Sequence, residues 1–424
     1  MDDNGAAADL DEEGAEFRVA LDKGGRGPAG HPERDDIRLL SEDFYAEPHE
    51  RWAWMRANAP VYWDDETGIW GVASHEHVSI VSRDWQTFCS GKGSRPESSV
   101  PSMINMDGFE HSFRRGIVSR GFTVRRVQDH EPYLRRTVTR LLDDVCERGS
   151  CDVVTDVATP LPMAMIGELM GLPSGDYDRL LHWSDLFATG GAEVLPEVEQ
   201  AVMEWVAYIT AVVEQRRAAG PADDLVSLVV HATEEGRSLT DADLIFETML
   251  ILVGGDETTR HVVSGGLDAM LRHPDQLAMV RDDRSLLPSA VEEMLRWVTP
   301  VRNMNRTATR DVELGGMQIR EDDRVLLLYP SANRDEAVFT DADRFDVRRD
   351  PNPHVAFGAF GRHHCLGAQL ARLELRVLFD ELLDRLPDIH LADPDAPRRE
   401  RRGNFVLRLE SLRVEFAPAP RSAA

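Results

Sequence analysis

Phe357-Gly-Ala-Phe-Gly-Arg-His-His-Cys365-Leu-Gly367 is the stretch on which the reading of this chain turns. Glycines crowd the upstream side of Cys365, and an uninterrupted helical pattern over Leu366–Leu386 follows it. Glycine lets backbone N–H groups come close to a sulfur, and a helix N-terminus just beyond adds partial positive charge. Both favour the thiolate, the form of cysteine that binds a metal. A lone cysteine on a loop is more often a buried structural residue. The residues around this one, and the motifs elsewhere in the chain, set it apart.

Composition narrows the classes. The chain has 424 residues, 42% of them hydrophobic, enough for a large core. A formal net charge of −27 argues against nucleic acid or an anionic membrane as a bulk partner. No run of about 18 apolar residues occurs, so no membrane span is expected. The start, Met1-Asp-Asp-Asn-Gly, is acidic where a secretory leader would be basic. With only four cysteines, the expected location is the reducing cytoplasm. Residues 1–36 read as a disordered acidic tail, and 37–424 as one continuous globular domain without a linker or internal repeat.

The pattern is mainly α with small β-sheets. Helices are predicted over Pro48–Asn58, Glu110–Ser119, Tyr133–Glu147, Pro160–Met170, Pro196–Arg217, Ala222–Glu234, Asp241–His273, Pro288–Thr299 and Leu366–Leu386. Short strands are predicted over Val61–Trp63, Ile69–Val72, Val312–Leu314, Met317–Ile319 and Val325–Tyr329, with a Gly315-Gly316 hairpin turn.

The helix from Asp241 is the longest. Thr240-x-x-Asp243 resembles a capping box at its start, and Pro274 lies just beyond its end. Its middle reads Gly254-Gly255-Asp256-Glu257-Thr258-Thr259. Paired glycines weaken a helix by about 1 kcal/mol each relative to alanine. They serve either close packing or free space beside a ligand. Thr258 can bond back to the Gly254 carbonyl and bend the helix. An acid followed by an alcohol can relay protons. Further on, Glu293-Met-Leu-Arg296 places an acid and a base on one helix face among apolar neighbours. His111-Ser-Phe-Arg-Arg115 places a histidine and an arginine at i and i+4.

Together, Gly361-x-His363-x-Cys365-x-Gly367, the Gly-Gly-Asp-Glu-Thr-Thr segment and Glu293-x-x-Arg296 resemble the cytochrome P450 family, over about residues 40 to 416. The resemblance implies a triangular prism with a long central helix over haem b. It implies that Cys365 is the axial ligand of the haem iron, within a loop that includes Phe357, Gly361 and Gly367. His111, Arg115, Arg306 and His363 would meet the haem propionates. Glu257 and Thr258 would deliver protons during oxygen activation. Glu293 and Arg296, completed by Arg349, would be scaffold. The loop is one residue longer than the commonest family form, which leaves either Phe357 or Phe360 beside the sulfur.

Four stretches resemble one bacterial branch, the hydroxylases of the terminal methyl of cholesterol or cholest-4-en-3-one side chains: Leu252–His261, Glu292–Met304, Asn404–Leu412 and Thr159–Ile166. Family position implies a substrate pocket lined by the Gly93–Met103 loop, Phe187–Val194, Leu250, Val253, Gly254, Val301, Phe405, Val406 and Leu407, mostly apolar or small. Such a lining suits a sterol, and equally a macrolide, terpenoid or fatty acid. A haem-based sensor is the alternative of another class, and it has no use for the acid–alcohol pair. The chain shows no flavin or iron–sulfur domain, so electrons would come from a ferredoxin and its reductase. Arg114, Arg120, Arg125, Arg126 and Arg362 are the expected docking cations for that acidic donor.

Overall fold

The computed structural model describes residues 30–96, 99–188, 195–398, 400–401 and 403–422. Of the expected tail, residues 1–29 lie outside these. Residues 30–36 are packed: His31 Nε2 accepts from the Trp63 N–H at 3.0 Å, and its ring centroid lies 5.5 Å from that of Tyr62.

The helices that frame the site are α1 (His75–Arg83), α2 (Gly108–Ser119), α3 (Pro160–Met170), α4 (Tyr177–Ala188), α5 (Asp241–Arg272), α6 (Leu287–Val298) and α7 (Ala368–Arg385). The main sheet comprises β1 (Val61–Asp64), β2 (Ile69–Val72), β3 (Phe88–Cys89), β4 (Met304–Ala308) and β5 (Arg324–Leu327), in the order β1-β2-β5-β4-β3. The β2–β5 pairing is parallel and the others are antiparallel. One apolar core lies among the helices, and two smaller ones flank this sheet.

The α5 helix is the axis of the fold. Thr240 and Asp243 form the expected capping box, with reciprocal bonds of 3.2 and 2.9 Å. Its 32 residues span about 48 Å. It packs on α3, α4 and α6, and is buried almost all round beyond Leu244. Polar side chains in its middle therefore need partners inside the protein.

Most predicted elements form within a few residues of the expected bounds. The strand expected over Val325–Tyr329 stops at Leu327: Pro330 has no N–H to donate, and Tyr329–Ala332 turns into a short helix. The helix expected over Ala222–Glu234 is only Leu225–His231, because the Asp224 carboxylate caps it by accepting from the Ser227 N–H. Beyond its end, a left-handed Glu235-Gly236 pair turns the chain back. Helices α1 and α4 were not expected; α1 starts at Ser74, whose hydroxyl accepts from the His77 N–H.

Candidate active site

The Cys365 loop is a tight structure of backbone bonds. Cys365 N–H donates to Phe357 O at 2.8 Å, Gly358 N–H to Val355 O at 2.9 Å, and His364 N–H to Gly361 O at 3.0 Å. A Cβ on Gly361 would lie 1.9 Å from the Ser82 carbonyl oxygen of α1, so only glycine seats the loop there. Phe360 adopts a left-handed φ of 55° and its side chain is 65% exposed, stacked on His364. Phe357 turns inward and lines the cavity below. The longer loop is thus accommodated by ejecting Phe360, and Phe357 is the phenylalanine on the sulfur side.

A network invisible in the motifs clamps both flanks of this loop. Glu292 on α6 receives Arg372 of α7 at 2.6 and 2.8 Å, and His354 bonds it at 2.9 Å from just before the loop. The Arg372 guanidinium also lies 4.6 Å from the centre of the Phe357 ring. Next to it, Glu293 is fully buried and receives Arg296 at 2.7 Å through both oxygens, Arg349 at 3.1 Å, Asn352 at 3.2 Å and the Asp346 N–H at 2.8 Å. The acid–base–arginine trio expected from the sequence therefore assembles, with every carboxylate oxygen satisfied.

Cys365 opens onto a cavity of about 1450 Å³, its mouth included. The Cys365 loop and the stripe Leu370, Ala371, Glu374 and Leu375 of α7 line it on one side; Leu250, Gly254, Thr258 and Val262 of α5 line it on another. Burial pushes the Cys365 thiol up, against the Gly367 N–H, Arg115 and Arg372, which pull it down. Loop geometry alone thus does not secure a thiolate. A thiol that coordinates a metal ion is deprotonated outright.

His111, Arg115, Arg306 and His363, far apart in sequence, all line this cavity. Burial, with Arg115 next in effect, holds His111 down to about 4; burial, with Arg306 next, holds His363 down to about 2. Their rings lie 4.3 Å apart. Both nitrogens of His111 and Nε2 of His363 are buried without a partner. Arg115 donates to the His364 carbonyl at 2.5 Å and Arg306 to the Asn305 carbonyl at 2.7 Å. Two guanidiniums and two unpartnered imidazoles form a site for anionic oxygens.

On α5, the two glycines divide the roles. A Cβ on Gly255 would lie 2.6 Å from Ile166 of α3, whereas one on Gly254 would meet nothing within 4 Å. Gly255 is for close packing; Gly254 opens space in the cavity. Thr258 lines the cavity, and its hydroxyl donates to Gly254 O at 3.0 Å, as expected. Glu257 does not line it. Its carboxylate points away, ion-paired with Arg260 and with Arg408 of the C-terminal hairpin. Leu250, Gly254 and Val301 reach the cavity; Val253, Phe405 and Val406 do not. Phe405 instead lies under Arg95, 3.8 Å from its ring centre, and Val406 bridges Val301. Of the expected Phe187–Val194 wall, residues 189–194 lie outside the described residues.

The family model for cytochrome P450 matches residues 124–415. Steroid C26-monooxygenases of Mycolicibacterium smegmatis and Mycobacterium tuberculosis are each 45% identical to this chain, covering 91% and 92% of it and 97% and 99% of their own lengths. The solved cytochrome P450 of Mycobacterium marinum in complex with pseudoionone superposes with a TM-score of 0.83 at 34% identity, covering 92% of this chain and 100% of that one. The chain belongs to the cytochrome P450 family.

Haem b, the prosthetic group of P450s, fits what is present. A cysteine whose thiolate could hold the iron stands at the base of the cavity, apolar side chains line walls that would suit a macrocycle, and the histidines with unpartnered nitrogens and the arginines would meet two carboxylates. The protein is accordingly an oxidoreductase of the monooxygenase kind, and its cavity is built for a hydrophobic substrate. Among the described residues, no helix is long and apolar enough to cross a membrane.

The expected docking arginines are mostly engaged. Arg114 is bound between Asp243 and Glu247, Arg120 pairs with Glu234, and Arg126 pairs with Asp223 at 2.9 Å. Arg114 is therefore not a docking cation. Arg125 is exposed, on a short helix packed against α7. Arg362 stacks 4.2 Å over Trp85 and bonds the Gly108 carbonyl and Ser112 hydroxyl at 3.1 Å each.

Sequence reasoning missed Glu374 and Glu247. Glu374 is a carboxyl in the cavity wall, 1% exposed, with Oε2 unpartnered. Burial raises it well above the usual carboxylate range, and Asp256 adds to the rise. Each sits in an ordinary helical pattern, and only the three-dimensional neighbours mark it.

Proposed function

We propose that the protein hydroxylates the terminal methyl of a sterol or steroid side chain, with electrons from an acidic ferredoxin served by a separate reductase. The observation that carries the substrate reading is 45% identity with steroid C26-monooxygenases over nine-tenths of the chain. An apolar cavity with space above Gly254 agrees with it. Overall, R–CH3, O2, two electrons and two protons give R–CH2OH and water.

Haem bound at Cys365 supplies the oxygen activation and the electron storage. The chain's own residues do the rest. His111, Arg115, Arg306 and His363 anchor the carboxylates of the cofactor. Apolar walls exclude bulk water, so protons must arrive by a defined route. Thr258 offers its hydroxyl in the cavity, and Glu257 is the adjacent acid. Because Arg260 and Arg408 hold Glu257, a proton passes between the two only when Glu257 swings free or a water bridges them. Arg125 and Arg362 give the cysteine side positive charge to steer an acidic donor, an effect that weakens with salt.

The test is turnover of cholest-4-en-3-one with NADH, an acidic ferredoxin and its reductase. The expected product is the terminal alcohol, preceded by a substrate-induced spin-state change. A spin change with a macrolide or fatty acid, and none with the steroid, would refute the substrate reading. A reduction rate indifferent both to salt and to Arg125→Glu would refute the donor reading.

A further inference from the structure

Glu247 lies two turns upstream of Gly254 on α5, fully buried. Its Oε1 accepts from the Met103 N–H at 2.8 Å and from Arg114 of α2 at 3.2 Å. Arg114 also pairs with Asp243 of α5 at 2.5 Å and donates to the Pro101 carbonyl at 3.2 Å. Three separate elements thus meet: the central helix, α2, and the turn from Pro101 to Asn105. The turn carries Met103 and Ile104, both in the cavity wall. The same turn is held from its other side by Asn105, which accepts from the Ser94 N–H and donates to the Val100 carbonyl, both at 2.7 Å.

A carboxylate needs no such place for the fold's sake. Burial pushes Glu247 up to about 7, against the pull of Arg114, and Oε2 has no partner. An amide or hydroxyl could accept from one N–H at less cost of desolvation. What only this arrangement does is fix a segment of cavity wall to the helix that faces the cofactor site.

We infer that Glu247, with Arg114 and Asp243, is a positioning group that latches the Pro101–Asn105 turn onto the central helix, and so determines the shape of substrate the cavity accepts. This rests on the cavity being the substrate site and not on the substrate being a steroid. Arg114 belongs to this latch, which explains why it is withdrawn from the surface.

The experiment uses the haem-loaded protein and two readouts. Amide hydrogen exchange over residues 99–106 reports the turn directly. Spin-state titration with cholest-4-en-3-one reports the shaped cavity, and titration with imidazole reports the iron alone. Glu247→Ala should speed exchange in that segment about tenfold or more and weaken steroid binding about tenfold, with imidazole binding unchanged. Glu247→Gln keeps an acceptor for Met103 and Arg114, so it should stay within about threefold of the wild type on both. If Glu247→Ala does not accumulate as folded protein, Arg114→Gln takes its place, with smaller effects of the same sign. Unchanged exchange in either folded variant overturns the latch, as does a Gln variant as impaired as the Ala one. If the wild type binds no steroid, the substrate reading fails, and exchange still decides the latch.

Discussion

Two helices of this protein bury acidic side chains in opposite ways. On α6, Glu293 receives donors at both oxygens from Arg296, Arg349, Asn352 and a backbone N–H, and Glu292 beside it holds Arg372 and His354. On α5, Glu247 Oε2 and Asp256 Oδ1 are buried with no partner, and burial raises the two groups to about 7 and about 6. The first region is over-determined and holds the cysteine loop in one geometry. The second leaves one carboxylate oxygen of each acid buried and unpaired, on the helix that faces the cavity. On the thiolate side both oxygens of Glu293 are satisfied; on the opposite side an oxygen stays open even where, as at Glu247, the other one holds a turn in place.

The comparison breaks first at Glu293. Glu293→Ala strands two buried guanidiniums, a loss of about 3–5 kcal/mol. The expected outcome is a protein that fails to retain haem, read by the yield of haem absorbance in purified protein. On α5 the large effect is chemical and leaves the fold alone. Thr258→Ala should leave stability near the wild type, since the hydroxyl bonds only its own helix at Gly254. Positioned proton transfer is worth about 10²–10⁴-fold, so product formed per NADH consumed should fall at least several-fold, with reduced oxygen released instead. Unchanged coupling would place the proton route elsewhere.

The motif-bearing parts of this site were legible because their chemistry is local. Gly361 is glycine because Ser82 O stands where a Cβ would go, and Glu293 and Arg296 share a face at i and i+3. Partners brought from afar were not legible. Nothing near Glu257 in sequence announces Arg408, and nothing near Arg114 announces Glu247, 133 residues on. The fold's long helices could be read from caps such as Thr240–Asp243. The nine-residue α1 could not, because too few turns repeat the apolar spacing.

A finer contrast lies within α5 itself. Gly255→Ala forces a methyl against Ile166, which costs about 1–3 kcal/mol by overpacking. Gly254→Ala meets no atom within 4 Å and gains about 1 kcal/mol of helix propensity. Denaturant melts should therefore rank Gly254→Ala above wild type and Gly255→Ala below it; equal midpoints would erase the division of roles.

The smallest effect is a pH slope. Glu247 is raised from 4.5 to about 7 in the folded protein, so folding takes up a proton between those values. Its stabilising share is complete below about 4.5 and is lost as pH rises through about 7. Glu247→Gln should flatten that part of the stability–pH curve, and a curve parallel to the wild type would contradict a raised Glu247.

The central claim is that Cys365 ligates haem iron as a thiolate. The absorption spectrum of the reduced carbon monoxide complex tests it most directly. The account predicts a strongly red-shifted Soret band in the wild type and its loss in Cys365→Ala. A wild-type band at the position of histidine-ligated haem, or a red-shifted band that survives in Cys365→Ala, would contradict it.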